Sequence, residues 1–88
     1  MYKIQRTSQF KKDYKLAVKR GCDISKLKEV VVFLVDNRSL PEKYIDHELK
    51  GIYSKYRECH LAPDWLLIYR IENNELQLIR TGSHSDLF

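Results

Sequence analysis

Two turn dipeptides divide the second half of the chain, and they limit its possible folds more than any other feature. Asn73-Asn74 separates the runs 65–71 and 75–81, and Ala62-Pro63 separates the run 53–60 from the first of these. Asparagine tolerates the left-handed backbone that tight hairpins need, and proline cannot donate to a ladder, so both pairs mark reversals. The flanking runs are rich in Tyr, Leu and Ile, which predicts strands. Three consecutive strands joined by short turns form an antiparallel meander. The longest apolar stretch, Trp65 to Tyr69, suits one buried strand. It is far short of the ~20 residues that cross a bilayer.

The first half reads differently. Residues 2–6 alternate Tyr2, Ile4 and Arg6 against Lys3 and Gln5, predicting a short opening strand. Thr7 or Ser8 can then cap a helix whose stripe is Phe10, Tyr14, Ala17 and Val18, with Gly21 as its stop. Ser25 is the expected cap of a second helix carrying Leu27, Val30, Val31 and Leu34. Its four valines would also suit a strand, but the i, i+3, i+4, i+7 spacing favours a helix. Residues 37–49, with Pro41 inside, form an irregular connector. The expectation is one α+β domain over 1–88, in the order β-α-α-β-β-β, with two N-terminal helices packed on a small, mainly antiparallel sheet.

Composition narrows the function classes. Apolar residues make up 43% of the chain and charged residues 32%, the balance of a globular protein. Cys22 and Cys59 are too few for a disulfide scaffold and fit free thiols in a reduced, cytoplasmic protein. The N-terminus lacks an apolar block behind a basic start, so neither secretion nor a membrane partner is expected. Charge is uneven. From Met1 to Lys28 there are nine Lys or Arg against two Asp, and from Glu29 to Phe88 seven against ten Asp or Glu. A basic first third suits a polyanion or an acidic protein partner, unless its lysines are only a solvated helix face.

The hairpins allow a register to be projected. With Asn73-Asn74 as a two-residue loop, Tyr69 faces Leu78, Leu67 faces Arg80 and Trp65 faces Gly82. With the earlier turn centred on Ala62-Pro63, His60 faces Trp65 and Glu58 faces Leu67. Opposed residues share a sheet face, so His60, Trp65 and Arg80 meet at one end, with Asp64 in the turn beside them and His84 just past the last strand. Histidine moves protons near neutral pH, arginine fits a phosphate, and Asp64 can orient a ring or hold a ribose hydroxyl. Trp65 and Phe88 offer flat faces for an unstacked base. Such a group suits metal-free RNA cleavage, with the 2′-OH attacking its own phosphorus. No C-x₂₋₄-C or H-x₃₋₅-H unit is present, so neither a metal nor another cofactor is expected.

The run HELKGIYSKYRECHLAPDWLLIYRIENNELQLIRTGSHSDLF, residues 47–88, closely resembles the C-terminal half of YafQ-type toxins in the RelE/ParE superfamily of bacterial toxin–antitoxin systems. The matching pieces are His47-Glu48-Leu49, Tyr56 to His60, Pro63 to Tyr69, Arg80 to His84 and Asp86-Leu87-Phe88; the N-terminal part matches more loosely. The resemblance implies an mRNA interferase that works in the ribosomal A site without metal. It carries the catalytic set onto His47, His60, Asp64, Arg80 and His84, with the terminal Phe88 and the adjacent Trp65. His84 is expected to be a principal proton-transfer residue. The resemblance also implies a cognate antitoxin that covers the basic surface, with operator DNA bound only together with that antitoxin. Lys11, Lys12, Lys15 and Lys19 are the expected contacts to ribosomal RNA or mRNA. A ParE-like gyrase poison or a non-catalytic antitoxin- and operator-binding module could share the fold, and only the site separates them.

Overall fold

The computed structural model describes residues 1–88. Strand β1 (Lys3–Arg6) leads into helix α1 (Ser8–Lys19) and helix α2 (Ile24–Val35). A 3-10 turn (Glu42–Tyr44), the two-residue strand β2 (His47–Glu48) and a second 3-10 turn (Gly51–Tyr53) follow. The meander β3 (Arg57–Ala62), β4 (Trp65–Glu72) and β5 (Glu75–Gly82) ends in the single-turn helix α3 (His84–Leu87). The five strands lie in the order β1-β5-β4-β3-β2, with β1 parallel to β5 and every other pair antiparallel. This is the expected α+β layering, with one more strand than the sequence predicts. The segment 37–49 is not wholly irregular, because His47 and Glu48 pair with Glu58 and Arg57 at the sheet edge.

The two helices cover one sheet face. Phe10, Ala17, Leu27, Val30 and Leu34 pack there on Cys59, Trp65, Leu67, Tyr69, Leu76 and Leu78. Thr7 is the cap of α1, its hydroxyl accepting from the Phe10 N–H at 2.9 Å. Val18 does not join the apolar stripe and is 53% exposed; Asp13 takes the inward slot instead, so the buried row is Phe10, Asp13 and Ala17, with Tyr14 partly buried beside it. Asp23, not Ser25, caps α2. Its carboxylate accepts from both the N–H and the hydroxyl of Ser25, and this starts the helix at Ile24. Val31 is only partly buried. Gly21 does end α1, with φ of 80°.

The opposite face carries a smaller cluster of Leu66, Ile68 and Leu87, flanked by Leu49, Tyr56 and Ile79. The strand β3 begins at Arg57 rather than 53, because the chain first makes the turn Gly51–Tyr53. Asn73 and Asn74 both have positive φ, 53° and 62°, as a tight two-residue hairpin requires. The earlier turn is Pro63-Asp64, closed by the pair Ala62–Trp65, and not Ala62-Pro63. The register then shifts at Leu61, between His60 and Ala62, so His60 faces Leu66 and Glu58 faces Ile68. In the second hairpin the projected pair Tyr69–Leu78 is present, but Ile79 then bulges out, so Arg80 faces Ile68 and Gly82 faces Leu66. Thr7 holds this bulge: its N–H donates to the Leu78 carbonyl and its hydroxyl to the Ile79 carbonyl at 2.7 Å.

Candidate functional site

Cross-strand pairing sets one row, His47–Glu58–Ile68–Arg80, beside a second, His60–Leu66–Gly82. Both rows belong to the face opposite the two long helices. His84 opens α3 two residues after Gly82, which brings it to His60. The three imidazoles thus stand as successive neighbours, with ring centroids 6.2 Å apart for His47 and His60 and 5.8 Å for His60 and His84.

The outer two rings are each held through Nδ1. The His84 Nδ1 donates to Asp64 Oδ1 at 2.7 Å, and the His84 backbone N–H donates to the same oxygen at 3.0 Å. These two bonds, the backbone one first, hold the Asp64 carboxyl below the usual carboxylate range, so it is an acceptor only. The proton of His84 then sits on Nδ1, and Nε2 has no hydrogen-bond partner within the chain. The His47 Nδ1 donates to the Ile45 carbonyl at 2.7 Å, which turns its Nε2 toward Glu58. Ile45 itself has φ of 50° and ψ of 50°, a strained conformation for a β-branched side chain. Asp46 is gripped by Arg57 at 3.2 Å and by the Tyr69 hydroxyl at 2.6 Å, so the backbone on either side of this turn is anchored.

Glu58 lies between the inner pair. Its Oε1 is 3.4 Å from His60 Nε2 and 3.7 Å from His47 Nε2, and its side chain is buried. A protonated ring at either position would pair with it. The sequence offers no close-spaced metal ligands, yet folding brings His47, Glu58 and His60 together, with ligand atoms within 4.8 Å of one another. The spacing argument against metal is therefore corrected: strand pairing supplies the proximity that spacing lacks. Two imidazoles and a carboxylate are a donor set that divalent zinc accepts.

Arg80 is fixed from the other side. Its Nε and Nη2 each donate to Asp13 at 3.0 Å, and Asp13 also accepts from the Thr81 N–H and from Gln9. Burial works to raise the Asp13 carboxyl, but the bonds from Arg80, Gln9 and Thr81 outweigh it and the net shift is downward. Arg80 Nη1 has no protein acceptor and remains for a phosphate. Phe88, 60% exposed, meets Tyr53 edge to face at 5.7 Å.

Trp65 departs from expectation. It is only 5% exposed and belongs to the core under the helices, so its ring offers no open face to a base. The cause is a register shift at Leu61, between His60 and Ala62: Trp65 pairs with Ala62 while its neighbour Leu66 pairs with His60, so Trp65 points to the face opposite His60. Lys11, Lys12, Lys15 and Lys19 are all exposed on α1. Cys59 is fully buried and burial pushes its thiol up, which suits packing and not nucleophilic chemistry. Sequence reading missed Asp13 and Glu58 as partners of the site. Their signals were an acid three residues after Phe10 on the helix stripe and an acid two residues before His60 on the same strand face.

Comparison with known proteins gives the family. The chain is 44% identical over 86 residues to the mRNA interferase toxin YafQ of Escherichia coli, covering 97% of this chain and 94% of that protein. The fold superposes on YafQ in the E. coli DinJ–YafQ complex with a TM-score of 0.92 at 43% identity, covering 100% of this chain and 99% of that one. A metal-bound toxin from Helicobacter pylori superposes with a TM-score of 0.94 at 48% identity over the whole of both chains. The family model described as the bacterial toxin of type II toxin–antitoxin systems, YafQ, matches residues 2–88, and the chain belongs to that family.

Proposed function

We propose that this chain is the toxin of a type II toxin–antitoxin pair and cuts ribosome-bound mRNA by acid–base catalysis at the row of histidines. The observation that carries this reading is the cluster of His47, His60 and His84, each ring neighbouring the next, with His84 oriented by Asp64 through Nδ1. In the proposed reaction one imidazole takes the proton of the 2′-OH, O2′ bonds to phosphorus, and the P–O5′ bond breaks. A second, protonated imidazole gives its proton to O5′. His84 performs one of these transfers, and His47 or His60 the other. Arg80 faces the charge that develops on the phosphorane, already held by Asp13 and so costing little reorganisation. Products are a 2′,3′-cyclic phosphate and a 5′-hydroxyl. A divalent cation on His47, Glu58 and His60 would occupy the nitrogens that must carry protons, so we read metal binding there as inhibitory.

The partner we expect is a cognate antitoxin that covers the basic α1, with operator DNA bound only in its company. The experiment is brief induction in cells, with mapping of mRNA ends and a His84→Ala control. Cuts inside translated frames that vanish in the control support the reading. Chromosome damage with intact mRNA would replace it with a gyrase poison.

A further inference from the structure

The helix that carries His84 is only four residues long, too short to hold its own shape. Part of what fixes it is a charge clamp to α1. Asp86 Oδ2 accepts from Arg20 Nη1 at 2.6 Å, and Asp86 Oδ1 accepts from Arg20 Nη2 at 3.4 Å. The same carboxylate closes a capping box: it accepts from the Ser83 N–H at 2.9 Å while the Asp86 N–H donates to the Ser83 hydroxyl. Gly82 makes room for this fold-back, since a Cβ there would lie 3.0 Å from both Cβ and Oδ2 of Asp86. The bond from Arg20 is the chief reason the Asp86 carboxyl sits well below its usual range.

We propose that Arg20, at the C-terminal cap of α1, is a positioning residue for His84, acting through Asp86 to set where α3 leaves the sheet. The helix is then tied at two points, by Asp64 on the His84 ring and by Arg20 on Asp86, and both ties converge on the one free nitrogen, His84 Nε2. The same clamp sets the direction of Phe88, which ends α3. Arg20 and Asp86 are partly exposed, at 49% and 26% for their side chains, and such pairs add little to global stability. Their effect is on geometry, so it falls on turnover and not on melting. This rests on the reading of His84 as a proton-transfer residue.

The test is cleavage of mRNA on programmed ribosomes by Arg20→Gln, Arg20→Lys, Asp86→Asn, the Gln/Asn double variant and His84→Ala. Misplacing a catalytic group by about 1 Å costs up to roughly a hundredfold. Arg20→Gln and Asp86→Asn should each lower kcat roughly tenfold or more with KM and melting unchanged. Arg20→Lys should keep most of the activity, and the double variant should be no worse than its weaker parent. His84 ring resonances should broaden in Arg20→Gln while those of His47 hold. Arg20→Gln at the wild-type rate, beside an inactive His84→Ala, would overturn the clamp and leave the catalytic reading intact. A rise in KM alone would also overturn it and make Arg20 an RNA contact. An active His84→Ala would instead remove the reading on which the clamp depends.

Discussion

His84→Ala removes a ring that makes no core contact and whose side chain is 54% exposed. Surface substitutions of this kind change stability by about 0.5 kcal/mol or less. Cleavage should therefore disappear while the melting temperature stays near that of the wild type, which thermal melting beside a ribosome assay can establish. Asp13 makes the contrasting case. Its carboxyl is lowered in the folded chain, so its contribution is present above about pH 4 and is lost as pH falls through the folded value. Asp13→Asn should cost about 2 kcal/mol at neutral pH, because Arg80 and the Thr81 N–H lose a charged acceptor. The gap in melting temperature between wild type and variant should close below about pH 4. A gap that stays constant to pH 3 would mean Asp13 acts by packing alone.

At the level of elements, the hairpins show what was legible. The turn Asn73-Asn74 was readable because two residues that tolerate positive φ stand together, and the register from it held through Tyr69–Leu78. Both later errors have the same sense: β4 is displaced by one residue against β3 and also against β5. His60 and Gly82 still lie in one row and Glu58 and Arg80 in the next, so the site survived while Trp65 went to the core. The bulge at Ile79 was not readable, since its cause is a side chain 72 positions away, the Thr7 hydroxyl. Strand β2 was missed because two residues carry no periodicity. Thr7→Val should remove both the cap and the bulge anchor, costing about 1–2 kcal/mol. It should also reduce cleavage by loosening the register that presents Arg80. Loss of stability with full activity would show that the bulge does not depend on Thr7.

For the molecule as a whole, the exposed lysines of α1 give the toxin a basic side distinct from the row of histidines. Charge reversal at Lys11, Lys12, Lys15 and Lys19 should weaken ribosome association and lower the salt slope by about one unit per lost phosphate contact. Melting should change little. Unchanged co-sedimentation across a salt series would reduce these lysines to a solvated helix face. No helix is long and apolar enough to cross a membrane. The central claim is that side-chain nitrogens alone move the protons, and the chemistry of the cut ends tests it most directly. Toxin stripped of bound metal with a chelator and dialysed should still cleave mRNA on programmed ribosomes kept in magnesium, leaving 5′-hydroxyl and 2′,3′-cyclic or 3′-phosphate ends. Stripped toxin that cleaves only after zinc or another transition metal is added back, leaving 5′-phosphate ends, would contradict it.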